Sequence, residues 1–242
     1  MDWDRIAGNW KQFSGKIKEK WSFRRSNYFR FVGEECRAVM DSVGLQDMSA
    51  FAKMEVSGPK AREWLESILA NKIPKKQGRI ALCHLLTPNG GVRAEFTVYE
   101  WQPGRFYLVS AGAYERHDHD YLQKLCPTDG SVRLNPVTTR LGVLVIAGPN
   151  SRKLLQKLTS TDLSNEAFPW LSGQQISVGP VSTHCLRVNF VGELGYEFHH
   201  PIEQQVALFD LLMEAGKEFG IRPYGIKAMS SLSIEKSYRL VP

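Results

Sequence analysis

The sequence predicts an α+β fold built on a duplicated strand–turn–helix unit. Three observations carry this expectation. Segments 50–68 and 141–158 each run from an apolar β-type stretch through Gly-Pro into a helical pattern. The chain between them is strand-rich and holds an Asn-Gly-Gly turn. Toward the C-terminus, apolar residues recur at helical spacing across 204–219. Period-2 and period-3.6 patterning that is mixed along one chain reads as segregated strands and helices around a shared core.

The elements follow in order. Trp3, Ile6, Trp10, Phe13, Ile17 and Trp21 recur every three or four residues, so 1–21 predicts an amphipathic helix with lysines on its other face. Gly8 and Gly15 each weaken that helix by about 1 kcal/mol relative to alanine. Gly58-Pro59 and Gly148-Pro149 fit a turn feeding a helix, because proline presets φ and lacks a donor that a first turn leaves unused. Trp64, Leu65, Ile68 and Leu69 fall on one helix face, as do Leu154, Leu155 and Leu158; both stripes predict core. Strands are expected at 80–86, 95–101 and 106–110, with Asn89-Gly90-Gly91 closing the first hairpin. A helix is expected at 113–125. The run 141–147 reads as a buried strand, 181–189 and 196–200 as further strands, and 204–219 and 227–235 as helices.

The chain has 242 residues, 43% apolar and 23% charged, enough to bury a sizeable core. No apolar run approaches the roughly 20 residues of a membrane span, and Met1–Arg5 lacks the apolar stretch of a secretory signal. The net charge is +6, and residues 1–30 hold eight basic groups against three acidic ones, so the basicity belongs to the leader. The body's balance gives no support to nucleic-acid binding. Cys36, Cys83, Cys126 and Cys185 are widely spaced with no Cys-x-x-Cys pair; they are expected to be free thiols in a reducing compartment, hence a cytoplasmic location. Phosphate-loop, dinucleotide and nucleophile-elbow glycine motifs are absent from the sequence.

Two carboxylates stand out. Glu95 follows the Gly-Gly turn and enters an apolar strand. Glu193 sits between Gly192 and Gly195, where a backbone can approach a flat ligand. His117, Asp118, His119 and Asp120 splay around a helix axis rather than converge, so no metal site is expected. His199 and His200 read as a solvated strand end.

An ordered string of words gives these residues a context. "GLQDMSAFAKMEVSGP", "LLTPNGGVRAEFTVYE", "FYLVSAGAYERHDHDYL", "LGVLVIAGPNSRKLL", "LTSTDLSNEAFPWL" and "RVNFVGELGYEFHHP" occur in sequence. Together they resemble the folate-binding module of the dimethylglycine and sarcosine dehydrogenases, itself similar to the aminomethyltransferase (T-protein) of the glycine cleavage system. The resemblance spans 22–242 and implies an aminomethyltransferase-like α+β fold that binds tetrahydrofolate. It implies one-carbon transfer from an N-methyl amine, giving 5,10-methylenetetrahydrofolate. Glu95 then matches the catalytic acid/base, Glu193 the carboxylate that grips the pterin ring, and Tyr196 and Ser110 further cofactor-binding positions. The opening "WDRIAGNWKQFSGKIKEKW" resembles the start of the CsbD-like stress proteins, which sets 1–21 apart as a leader.

This sequence departs from the family pattern at Ala94, at Ala111 and at Ser233, where an arginine is usual. It ends where a β-rich C-terminal lobe is expected, and it shows no flavin dehydrogenase domain. The resemblance therefore implies FAD only on a separate chain, and a flavoprotein dehydrogenase subunit or a homodimer as partner. The alternative is a non-catalytic folate-binding or assembly protein.

Overall fold

Each Gly-Pro turn joins a strand to a helix, and each does so in a different half of the molecule. The computed structural model describes residues 26–238. The leader 1–21 lies outside the described residues. The described chain opens with α1 (Phe29–Asp41) and β1 (Gly44–Asp47), then the first repeat, β2 (Ala52–Ser57) and α2 (Ala61–Ile68). A meander follows: β3 (Ile80–Leu86), β4 (Val92–Gln102) and β5 (Arg105–Ser110), then α3 (Glu115–Leu125) and β6 (Arg133–Pro136). The second repeat is β7 (Leu141–Ala147) and α4 (Ser151–Gln156). After it come β8 (Gly173–Val178), β9 (Val181–Leu186), β10 (Gly195–Pro201), α5 (Gln205–Ala215), β11 (Arg222–Pro223) and α6 (Ile226–Glu235).

Gly58 and Gly148 both adopt positive φ, +120° and +133°. A Cβ on Gly58 would run into the Ser131 carbonyl, and one on Gly148 into the Ser42 carbonyl. The repeat is thus a repeated backbone device. In each copy the glycine carbonyl accepts the first helical N–H, from Ala61 at 3.1 Å and from Ser151 at 3.0 Å. The prolines stand one residue ahead of the N-cap positions, Lys60 and Asn150, so they shape the turn before the helix.

The strands form two sheets, a six-stranded one ordered β11-β1-β7-β10-β9-β8 and a five-stranded one ordered β3-β4-β5-β2-β6. Alternation sends successive side chains to opposite faces. On the outer face of the five-stranded sheet, Met54, Val56, Phe96 and Leu108 pack with Trp64 and Leu65 of α2 and Leu122 of α3. On the outer face of the six-stranded sheet, Leu144, Ile146 and Phe198 pack with Leu154 of α4 and Leu208 and Leu212 of α5. Between the sheets lie Ile80, Tyr99, Tyr107, Val137 and Leu186. The layers are helix, sheet, sheet, helix, and each fully buried aliphatic or aromatic side chain contributes about 1.5–3 kcal/mol.

This double covering corrects the reading of His199 and His200. They are 2% and 1% exposed. β10 is flanked by β7 and β9, so His199 faces the other sheet and His200 faces Gln205, whose Oε1 lies 2.8 Å from its Nε2. Neighbouring histidines on a two-sided strand look solvated in sequence only because the second sheet is invisible there.

Four strands and one helix were not anticipated. The α1 helix buries only Cys36 and Val39, and β8 is rich in Gln and Ser, so each offers few buried apolar side chains. The strands β1, β6 and β11 are short additions held by neighbours, β11 pairing in parallel with β1. No described helix is long and apolar enough to cross a membrane.

Candidate functional site

The β3–β4 hairpin is closed as expected by Asn89-Gly90-Gly91. Thr87 N–H donates to Gly91 O at 2.8 Å, Gly90 takes φ +79°, and Thr87 Oγ1 accepts from Gly91 N at 3.0 Å. Just beyond the turn the ladder slips between Leu85 and Leu86. Such a bulge re-aims the side chains next to it. Ala94 and Phe96 point into the helix-side core, so Glu95 points to the opposite face.

On that face Glu95 lies directly across from His84. His84 Nε2 stands 2.9 Å from Glu95 Oε2. Their side chains are 30% and 21% exposed. Because β3 is the edge of its sheet, its face-mates Leu82 and Leu86 remain exposed, as does Val92 opposite Leu86. A carboxylate with one fixed basic neighbour therefore sits within an open apolar rim. This arrangement suits a ligand with an apolar body and a protonatable nitrogen.

Glu193 is held by a different piece of architecture, the loop that enters β10. Asn189 organises that loop: its Oδ1 accepts from Val191 N at 2.9 Å and from Gly192 N at 3.0 Å, and its Nδ2 donates to the Glu193 carbonyl. Val191 is buried at 1% exposure. From α6, Ser233 Oγ lies 2.5 Å from the Phe190 carbonyl and 2.8 Å from that of Met229. Ser233 is thus a buried tie between helix and loop, in the place where an arginine was expected.

The glycines beside Glu193 serve a different purpose from the one expected. Gly192 adopts φ +74°, and the Lys236 stem lies against it; Asn189 fills the space beside Gly195. The room for close approach is occupied by the protein's own side chains. Lys236 Nζ pairs with Glu193 Oε1 at 2.9 Å. That carboxylate raises the Lys236 ammonium above the ordinary lysine value. Glu95 thus stands on β4 of the five-stranded sheet and Glu193 on the loop that leads into β10 of the six-stranded one, each with its own basic partner.

Tyr196 and Ser110, expected to contact a cofactor, both turn away from the intersheet side. Tyr196 is fully buried in the core beneath α4 and α5, and its hydroxyl accepts from Arg152 Nε at 3.3 Å. Ser110 is buried and donates to Asp118 Oδ2 at 3.0 Å. Strand alternation is the reason: Tyr196 shares a face with Phe198, and Ser110 with Leu108, both of which are helix-side. The His117–Asp120 run splays only in part: Asp118 turns inward to Ser110 with His117 Nδ1 3.2 Å from its Oδ1, while Asp120 lies 3.8 Å from Arg116 Nε and 3.7 Å from His119 Nδ1. Among the described residues no three His, Cys, Asp or Glu side chains gather in a metal-ligating group.

The intersheet layer also holds a buried polar chain that the sequence did not reveal. Tyr107 Oη lies 3.0 Å from His199 Nδ1, and His199 Nε2 lies 3.3 Å from Glu197 Oε2. Trp101 stacks on Tyr107 with centroids 4.7 Å apart. Burial drives the Tyr107 phenol well above its usual range, and burial together with His199 lowers His184. Lys53 is fully buried as well, its Nζ donating to Ser49 O at 2.7 Å and Phe51 O at 2.8 Å. The only sequence signal was a set of polar residues alternating within apolar strands, which also describes an ordinary solvent face.

Comparison with known proteins places this geometry. A family model described as the GCVT N-terminal domain matches residues 6–242, beginning inside the segment read as a leader. Dimethylglycine dehydrogenase, mitochondrial, of Homo sapiens is 41% identical over 219 residues, covering 90% of this chain and 25% of that protein. Sarcosine oxidase subunit alpha of Rhizobium meliloti (strain 1021) is 34% identical over 232 residues, covering 88% of this chain and 23% of that protein. The chain spans about a quarter of the length of these relatives. The crystal structure of glycine cleavage system aminomethyltransferase T from Bartonella henselae superposes with a TM-score of 0.76 at 22% identity, covering 95% of this chain and 62% of that one, which shows a shared fold. The chain belongs to the GCVT N-terminal domain family and is related to the dimethylglycine and sarcosine dehydrogenases and the aminomethyltransferases.

Proposed function

We propose that this chain is the tetrahydrofolate-binding, one-carbon-transfer module of a dimethylglycine or sarcosine demethylation system, forming 5,10-methylenetetrahydrofolate. The observation that carries the reading is Glu95, a half-buried carboxylate fixed by His84 inside an exposed apolar rim of Leu82, Leu86 and Val92. Glu95 serves as the acid/base, taking up the proton that a folate nitrogen loses as its bond to carbon forms. With formaldehyde as donor, the carbon gains bonds to two folate nitrogens, each nitrogen loses one hydrogen, and the oxygen leaves as water. The step is redox-neutral. Tetrahydrofolate supplies the two nucleophilic nitrogens when bound.

The donor set fits such a ligand. A carboxylate can accept two parallel hydrogen bonds from an aminopyrimidine edge, which is the role proposed for Glu193. Tyr196 and Ser110 act from the interior by fixing the ends of β10 and β5. Oxidation of the amine is assigned to a flavoprotein partner that carries FAD; one relative is itself a subunit of an oxidase. The four cysteines carry no disulfide, which supports a reducing compartment such as the cytoplasm. Isothermal titration with tetrahydrofolate tests the reading: saturable binding to the wild-type chain is expected, and no heat at millimolar ligand refutes it.

A second reading, a non-catalytic folate-binding or assembly protein, is favoured by one observation. A groove of about 500 Å³ between α1 and α6 presents Ile226 and Ile234, which are 57% and 71% exposed. Such a surface suits a protein partner. Binding of tetrahydrofolate without acceleration of methylenetetrahydrofolate formation would select this second reading.

A further inference from the structure

We propose that His84 is a positioning residue for Glu95, orienting that carboxylate so that Oε1 is the oxygen that exchanges the proton. The inference rests on the reading of Glu95 as the acid/base and adds a residue that nothing else about the chain assigns. As a carboxylate, Glu95 has only acceptors, so the contact of 2.9 Å between His84 Nε2 and Glu95 Oε2 requires the hydrogen on Nε2. One tautomer of His84 is thereby selected, and Oε2 is committed to it. Oε1 is left for the ligand.

The mount is rigid. His84 and Glu95 are register partners on adjacent antiparallel strands, so their side chains leave the same face side by side. The His84 carbonyl accepts from Ala70 N at 2.8 Å, which ties down the free side of the edge strand. Cys83 and Leu85, the neighbours of His84 in β3, are locked in the helix-side core. The ladder stays in register through Leu85 opposite Ala94 and shifts only between Leu85 and Leu86, beyond the pair. An edge strand would otherwise leave its carboxylate partner free to rotate into solvent. Here a histidine aimed across the strand holds it.

The test compares His84→Leu and His84→Gln with the wild-type chain. Glutamine can place an N–H close to the Nε2 position, and leucine cannot. Formation of 5,10-methylenetetrahydrofolate from tetrahydrofolate and formaldehyde is followed above the spontaneous rate, and tetrahydrofolate affinity is measured separately by calorimetry. His84→Leu is expected to lower kcat by about tenfold to a hundredfold, the effect of a lost hydrogen bond to a charged group. Its Kd and melting temperature should stay near wild type, and His84→Gln should recover most of the rate. In parallel, 15N spectra of the unliganded chain should show His84 protonated on Nε2, with that resonance displaced in Glu95→Gln. An unchanged kcat in His84→Leu overturns the inference. So does a His84 protonated on Nδ1, or one that does not sense Glu95→Gln. If the wild-type chain neither binds tetrahydrofolate nor speeds the reaction, the functional reading fails, while the spectra still decide whether His84 holds Glu95.

Discussion

Replacing Lys53 with methionine should change how stability depends on pH, by an amount the structure sets. Lys53 lies on the intersheet face of β2 and is fully buried, its ammonium donating to two backbone carbonyls. Burial pushes it down to about 8 from an ordinary 10.5. Between those values the unfolded chain binds the proton and the folded chain does not. Holding the charge inside therefore costs stability at neutral pH, and the cost fades as pH rises from about 8 to 10.5. The gap is worth about 3.5 kcal/mol at about 1.4 kcal/mol per unit. Methionine removes this dependence but leaves two carbonyls unserved, at about 1–3 kcal/mol. Near pH 7 the two chains should thus have similar stability. By pH 10.5 the wild type should have gained about 2–3 kcal/mol relative to Lys53→Met. Burial also raises Cys83 to about 11 and Tyr99 to about 12, but both chains share those groups, so they cancel in the difference. Urea denaturation of both chains at pH 7, 8, 9 and 10.5 measures it. A difference that stays constant over that range refutes the reasoning.

Other outcomes follow from the same geometry. Gly148→Ala forces a side chain at φ +133° against the Ser42 carbonyl, so it should destabilise by about 2 kcal/mol or more, seen as a lower urea midpoint. Tyr107→Phe leaves His199 Nδ1 without its partner in a sealed layer, and should cost about 1–3 kcal/mol in the same assay. Burial lowers His184 and His200 below 6.5, so their contribution is present above that pH and lost as pH falls through the window beneath it. Thermal unfolding at pH 7 and pH 5 should show the loss, and His200→Gln should reduce it. Lys236→Ala frees Glu193 Oε1, and should tighten or preserve tetrahydrofolate affinity; a loss greater than tenfold would show that the lysine itself holds the ligand.

Much of the fold was legible because the strongest signals are local. The Gly-Pro pairs marked both repeats, and their cause is visible in two glycines that must take positive φ beside a carbonyl. The Asn-Gly-Gly turn placed the hairpin and therefore Glu95. What stayed hidden was which face of each strand is covered. Lys53, Glu55, Glu197 and His199 alternate with apolar residues as a wetted face would, yet a second sheet packs over them. The strands that carry Tyr196 and Ser110 are legible in the sequence, but the helix-side direction of their side chains is not, since alternation is fixed only once register is known. The partners that define the two carboxylates, His84 and Lys236, are 11 and 43 residues away in the chain, so neither adjacency nor period could announce them.

Calorimetric titration of tetrahydrofolate into the wild-type chain and into Glu193→Gln is the most direct measurement. Saturable binding that weakens at least tenfold in the variant, with melting temperature preserved, is the predicted result. Equal affinity in both chains, or no uptake by either, contradicts the assignment of this loop to the pterin.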